Sequence, residues 1–185
     1  MLSREEFHNM LNKPFLLDGA TGSNLMKAGM PAGVCPEKWI LEHEDVFIDL
    51  QKAYVKAGTN ILYAPTFTAN RLKLKEYGLE NDLIDLTNRL VSLSKCAADG
   101  KALVAGDITM TGEQLAPIGK MDFEELVDVY KEQITALVNA GVDLLVVETM
   151  MSLQEARAAL IAANETCSLP VMVTMTFEKD GRTLY

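Results

Sequence analysis

"VNAGVDLLVVETMM", residues 138–151, decides the fold. A helical segment ends at Asn-Ala-Gly, where Gly141 suits the left-handed residue that closes a helix. A polar residue follows, and then "LLVVET", apolar on both faces until Glu148. A strand with two apolar faces belongs in a parallel sheet covered on each side. "VKAGTNILYAPTFT" (55–68) repeats the order, and "AADGKALVAGD" (97–107) is a looser third copy. Three matching helix-to-strand joints predict repeated αβ units with right-handed crossovers.

Working outward, "FLLD" (15–18), "NILYA" (60–64), "ALVAGD" (102–107), "DLLVVET" (143–149) and "VMVTMTF" (171–177) read as five strands. Their ends recur at Asp18, Tyr63, Asp107 and Glu148, gaps of 45, 44 and 41 residues. This regularity favours a (β/α) barrel over a doubly wound sheet. An eight-stranded barrel takes about 250 residues, so 185 residues with five strands predict the N-terminal portion of one. Residues 1–185 read as a single domain, either a piece of a larger protein or one that self-associates through open sheet edges. The intervening helices carry their own signals. Phe123, Leu126, Val127, Tyr130, Ile134, Leu137 and Val138 share one face. Asp122 with Glu125, and Ser152 with Glu155, read as capping boxes. "MLSREEFHNMLNKP" reads as a short amphipathic helix and not a signal peptide.

Composition excludes several function classes. With 49% hydrophobic and 23% charged residues the chain is an ordinary globular sequence. A net charge of -9 argues against nucleic acid and anionic membrane as partners. No apolar run approaches the roughly 18 residues needed to span a bilayer, and a cytoplasmic location is the default. Cys35, Cys96 and Cys167 are odd in number and far apart, which argues against a disulfide framework and reads mostly as core packing. His8 and His43 are the only histidines, and no C-x-x-C or H-x-x-x-H spacing offers a zinc site.

Chemistry in such folds sits at the C-terminal ends of the strands. Asp18, Asp107 and Glu148 fall at three of those ends, and Thr66 with Asn70 lies just past a fourth. Buried acids call for a positive or hydrogen-bonding partner, and a ligand's amino group is one. "GATGS" (19–23) offers backbone N–H groups without bulk, suited to a carboxylate. A pair of acids beside such a loop matches the head group of an α-amino acid; the same acids could instead cap local loops. "DGATGS" has neither the dinucleotide glycine pattern nor a Walker lysine. Lys101 precedes its strand, the wrong end for an aldolase lysine.

"LLDGATGSNLMKAG", "APTFTANRLKLKEYG", "VAGDI", "PIGKMDFEELVDVYKEQITALVNAGVDLLVVETMMSLQEARAAL" and "LPVMVTMTFEKDGRTL" resemble, in order, the homocysteine S-methyltransferase domain family. The likeness is greater to the homocysteine module of cobalamin-dependent methionine synthases. The resemblance implies a (β/α)8 barrel that binds homocysteine through zinc and transfers a methyl group to its thiolate, giving methionine. By the family's pattern Asp18 and Glu148 hold the amino group, the backbone of Gly19, Ala20 and Thr21 takes the carboxylate, and Asn70 lines the mouth. Methylcobalamin, with methyltetrahydrofolate, would come from folate- and corrinoid-binding modules elsewhere. The family's zinc cysteines lie on later barrel strands; Cys35, Cys96 and Cys167 match none of them, so this chain alone is expected to lack zinc and turnover. Thr109 and Met110 replace a Gly-Pro that the family usually carries. Alternatives are a zinc methyltransferase for another thiol, a selenol or a betaine-type donor, and a non-catalytic half-barrel.

Overall fold

The computed structural model describes residues 2–184. Helices α1 (Arg4–Met10), α2 (Gly22–Lys27), α3 (Pro36–Glu42) and α4 (Glu44–Ala57) precede strand β1 (Ile61–Tyr63). Then come α5 (Arg71–Lys75), a 3-10 turn at Glu80–Asp82, α6 (Leu83–Ala98), β2 (Leu103–Ile108), α7 (Phe123–Ala140), β3 (Leu144–Met150), α8 (Leu153–Thr166) and β4 (Val171–Met175). The strands lie side by side in the order β1-β2-β3-β4, and every neighbouring pair is parallel. Helices α6, α7 and α8 each connect one strand to the next, as the repeated joints predict.

The first of the five expected strands is not formed. Segment 15–18 runs beside β1 but makes one bridge, Leu17 to Ile61. The side chain of Asn60, not its backbone, accepts from the Leu16 amide at 2.8 Å. Past the Asp18 amide, which donates to the Ile61 carbonyl at 3.1 Å, the chain leaves for the glycine loop. The ladder therefore ends after one pair.

Strand alternation sorts the core into two faces. Leu62, Val104, Ile108, Leu145 and Val147 pack on the helix side with Tyr130, Ile134, Leu137 and Ala159. Ile61, Ala105, Leu144 and Val146 form the opposite, inner face, where Phe7 of α1 joins them. The same period carries Tyr63, Asp107 and Glu148 onto that inner face at the strand ends. Gly106, on the helix side, sits where a Cβ would meet the Leu137 side chain at 3.0 Å. Leu137 is fully buried and has little room to yield. Gly106→Ala is expected to cost about 1–3 kcal/mol, read as a lowered denaturant midpoint.

Caps follow the sequence only in part. Gly58 (φ 104°) and Gly141 (φ 86°) close α4 and α7 in the left-handed conformation. Ser3 and Glu6 make a full capping box on α1. Asp122 makes no side-chain cap on α7, against expectation. Ser152 accepts from the Glu155 amide, but Glu155 does not reciprocate; its carboxylate turns inward to Thr111 and Tyr130. Of the cysteines only Cys35 is buried; Cys96 is exposed, and Cys167 sits half-buried just past α8. Among the described residues no helix is long and apolar enough to cross a membrane.

Candidate active site

A cleft of about 530 Å³ opens at the C-terminal ends of the strands, between the 18–22 loop, the α2–α3 region and the segment after β1. Asp18, Asp107 and Glu148 all line it, together with Gly19, Ala20 and Thr21. Sequence segments 130 residues apart thus meet at one mouth because parallel strands end on the same side of the sheet. Leu25, Met30, Ile40 and Phe67 supply an apolar wall.

The three carboxyl groups face each other with no Lys, Arg or His among the lining residues. Burial pushes the Asp18 carboxyl up to about 7, and the Glu148 charge adds to the rise, partly offset by the Tyr63 amide, which donates to Oδ2 at 2.9 Å. Asp107 is held well above the usual carboxylate range, by burial first and then by the Glu148 and Asp18 charges. Burial raises Glu148 as well. The Tyr63 phenol is also raised, by burial and then by Glu148, Asp107 and Asp18. A pocket of acids that resist ionisation lacks a cation, and a ligand ammonium would complete it.

The glycine loop is held from outside. The Tyr54 hydroxyl donates to the Ala20 carbonyl at 2.8 Å, and the Asn24 amide reaches both that carbonyl (2.6 Å) and the Tyr54 oxygen (3.0 Å). These bonds turn the loop's carbonyl side away, while the amides of Gly19, Ala20 and Thr21 find no acceptor among the described residues. A Cβ on Gly19 would stand 2.8–2.9 Å from the Tyr54 ring. Gly19→Ala is therefore expected to displace the ring and free the loop, speeding amide hydrogen exchange over residues 20–25 by at least about tenfold. Unchanged exchange there would contradict the Tyr54 clamp.

Asn70 is not among the lining residues. It is fully buried as the N-cap of α5, and its Oδ1 accepts from the Lys73 amide at 3.0 Å. Thr66 sits under the strand end, donating to the Asp107 carbonyl (2.9 Å) and accepting from the Asp107 amide (3.1 Å). Two further polar residues line the cleft: Tyr63, which the sequence marks only as a strand end, and Glu37, which it does not mark at all. Glu37 is buried and accepts from the Thr68 amide (3.1 Å), the Thr68 hydroxyl (2.6 Å) and the Cys35 thiol (3.4 Å). In "CPEKW" it looks like an ordinary first-turn acid; its partner lies 31 residues on, which no local pattern reveals.

The residues do not fit a zinc ion. Among the described residues no three of His, Cys, Asp and Glu are grouped to hold a metal. Cys35 packs with Leu74, Leu83 and Leu86, and burial pushes its thiol up to about 11, the reverse of a ready thiolate ligand.

Comparison with known proteins gives a consistent result. The family model described as homocysteine S-methyltransferase matches residues 15–185. Methionine synthase of Mycobacterium leprae (strain TN) is 26% identical over 184 residues, covering 90% of this chain and 15% of that protein. Betaine--homocysteine S-methyltransferase 1 of Danio rerio is 28% identical over 171 residues, covering 89% of this chain and 41% of that one. The chain thus spans less than half the length of each of these relatives. Crystal structures of the homocysteine methyltransferase MmuM from Escherichia coli superpose with TM-scores of 0.79 (oxidized form, 21% identity) and 0.77 (metallated form, 20% identity). Each alignment covers 96% of this chain and 70% of MmuM. The fold is therefore part of a (β/α)8 barrel, as the strand spacing predicts.

Proposed function

Since the chain belongs to the homocysteine S-methyltransferase family, we propose that it supplies the amino-acid cradle of a methyltransferase acting on homocysteine. Asp18 and Glu148 hold the α-ammonium, and the free amides of Gly19, Ala20 and Thr21 take the carboxylate. One observation carries this reading: acids without a cation stand beside amides without an acceptor, in one cleft. An α-amino acid head answers both needs at once. Holding that head fixes the direction in which the thiol side chain leaves, which is the chain's part in lowering the barrier. Zinc finds no ligand set among the described residues. Asn70 enters this reading through the α5 cap.

On this reading the remaining barrel strands and the folate- and corrinoid-binding modules lie elsewhere in a cytoplasmic protein, and residues 1–185 belong to one homocysteine-binding domain. The donor is methylcobalamin, a reading supported by the 26% identity to a methionine synthase over 90% of the chain. The 28% identity to a betaine-dependent relative over 89% of the chain favours a second reading, with a betaine donor. Supplying the full protein with L-homocysteine and each donor in turn, and quantifying methionine, separates them. Methionine from methylcobalamin is the expected result; methionine from betaine alone selects the second donor, and none from either would overturn the proposal.

The raised Asp18 acid gives the binding a pH signature. An ammonium needs Asp18 ionised, so protonation competes with the ligand. Affinity for L-homocysteine is expected to weaken as pH falls below about 7, by up to roughly tenfold per pH unit. Titration calorimetry between pH 6 and 8 measures this directly.

A further inference from the structure

Asp107 has a carboxyl oxygen, Oδ1, that nothing in the fold uses, while the Ile108 backbone amide bonds the carboxyl group. Its residue is only 6% exposed, its Oδ1 is buried without any hydrogen-bond partner, and it lines the cleft beside Asp18 and Glu148. A buried polar atom left unpaired costs about 1–3 kcal/mol, so such a group persists where a ligand completes it. Its backbone, by contrast, is tied on both sides. Thr66 bonds the Asp107 carbonyl and amide, and the Gln133 side chain of α7 donates to the Thr66 carbonyl at 3.1 Å. This chain of bonds fixes where the carboxyl points while leaving Oδ1 open.

Resting on the reading above, we propose that Asp107 is a third substrate contact, accepting one N–H of the amino acid's ammonium and making the site selective for primary amines. A primary ammonium has three N–H donors. Asp18 keeps one oxygen for the Tyr63 amide and has the other free; Glu148 supplies a second acceptor and Asp107 the third. An N-methylated amino acid has one donor fewer, and its methyl group would meet a desolvated oxygen. The other charged or titratable groups at the cleft are Tyr63 and Glu37, and neither brings a positive charge. One ammonium does not neutralise three carboxylates, so the most buried of them, Asp107, retains its proton and accepts through its carbonyl oxygen.

The test is a ligand-by-variant affinity grid on the full protein. The ligands are L-homocysteine, its N-methyl derivative and 4-mercaptobutyrate, which lacks the amine. The parent is expected to bind L-homocysteine at least about tenfold more tightly than the N-methyl compound. Asp107→Ala is expected to weaken L-homocysteine about 10–100-fold, to leave 4-mercaptobutyrate within about twofold, and to shrink the N-methyl discrimination. If Asp107→Ala binds L-homocysteine like the parent, or loses both thiols equally, the proposal is overturned. Should that variant not fold, the parent decides alone: equal affinity for the primary and N-methyl amines overturns it. Loss of L-homocysteine binding in Asp18→Asn but not in Asp107→Ala would defeat this contact and leave the cradle standing. No binding of L-homocysteine to the parent would defeat the cradle itself.

Discussion

At pH 8 the Asp18→Asn, Asp107→Asn double variant melts higher than the parent, and its midpoint falls less between pH 5 and 8, the remaining fall coming from Glu148. Both acids ionise less readily in the folded chain than their ordinary value of 3.8 allows. The sign follows from proton counting. Between about pH 4 and 7 the folded state holds protons that the unfolded state has released, so stability is complete below about pH 4 and declines as pH rises through about 7. For Asp18 the full cost above pH 7 is at most about 4 kcal/mol, and solvent reaching the open cleft brings it nearer half of that. A gain of about 2 kcal/mol corresponds to roughly 4–8 °C in a domain of this size. The same exchange removes the Asp18 charge that holds an ammonium, so the more stable protein loses its ligand. Calorimetric midpoints across pH 5–8, with and without L-homocysteine, measure both effects. A parent midpoint that stays flat over that range would contradict the account.

Glu155→Ala is expected to be the most damaging single change away from the cleft. Glu155 is buried, and its Oε1 accepts from the Thr111 amide (2.7 Å), the Thr111 hydroxyl (2.8 Å) and the Tyr130 hydroxyl (2.9 Å). Tyr130 keeps a second bond, to the Thr109 carbonyl at 3.1 Å. The Thr111 donors have no such alternative, and removing their acceptor strands them in a desolvated place. A loss of about 3–4 kcal/mol follows, about 6–16 °C in the midpoint. The segment between β2 and α7 is pinned by this carboxylate, so hydrogen exchange there should quicken before the rest of the fold opens. Glu155→Gln keeps the acceptor oxygen and is expected to lose less than half as much. Equal losses in the two variants would assign the effect to charge and not to the hydrogen bonds.

Glu155 also marks where local sequence logic stops. The Ser-x-x-Glu spacing identifies the start of α8 correctly, yet the glutamate's partners lie 25 and 44 residues upstream. Glu37 and Asp122 tell the same story: an acid in a first turn looks alike whether it caps the helix, bonds a distant loop or faces water. What periodicity does reveal is the repeated unit. Gly58 and Gly141 end helices, apolar runs follow, and the acids stand at the ends of those runs, so the convergence of Asp18, Asp107 and Glu148 is legible before any coordinates. The single bridge at Leu17 is not legible, because it depends on the Asn60 side chain taking an amide that a backbone carbonyl would otherwise take. Tyr63 was visible as a strand end but carries no charge pattern to nominate it. Its place in the cleft comes from strand alternation, and its amide on Asp18 comes from the parallel neighbour.

The most direct measurement is a crystal structure of the full protein with L-homocysteine bound. The account predicts the ammonium nitrogen at about 3 Å from carboxylate oxygens of both Asp18 and Glu148, with the ligand carboxylate on the amides of Gly19–Thr21. An amino acid bound in the cleft with its ammonium directed away from these two acids, or bound elsewhere, would contradict it.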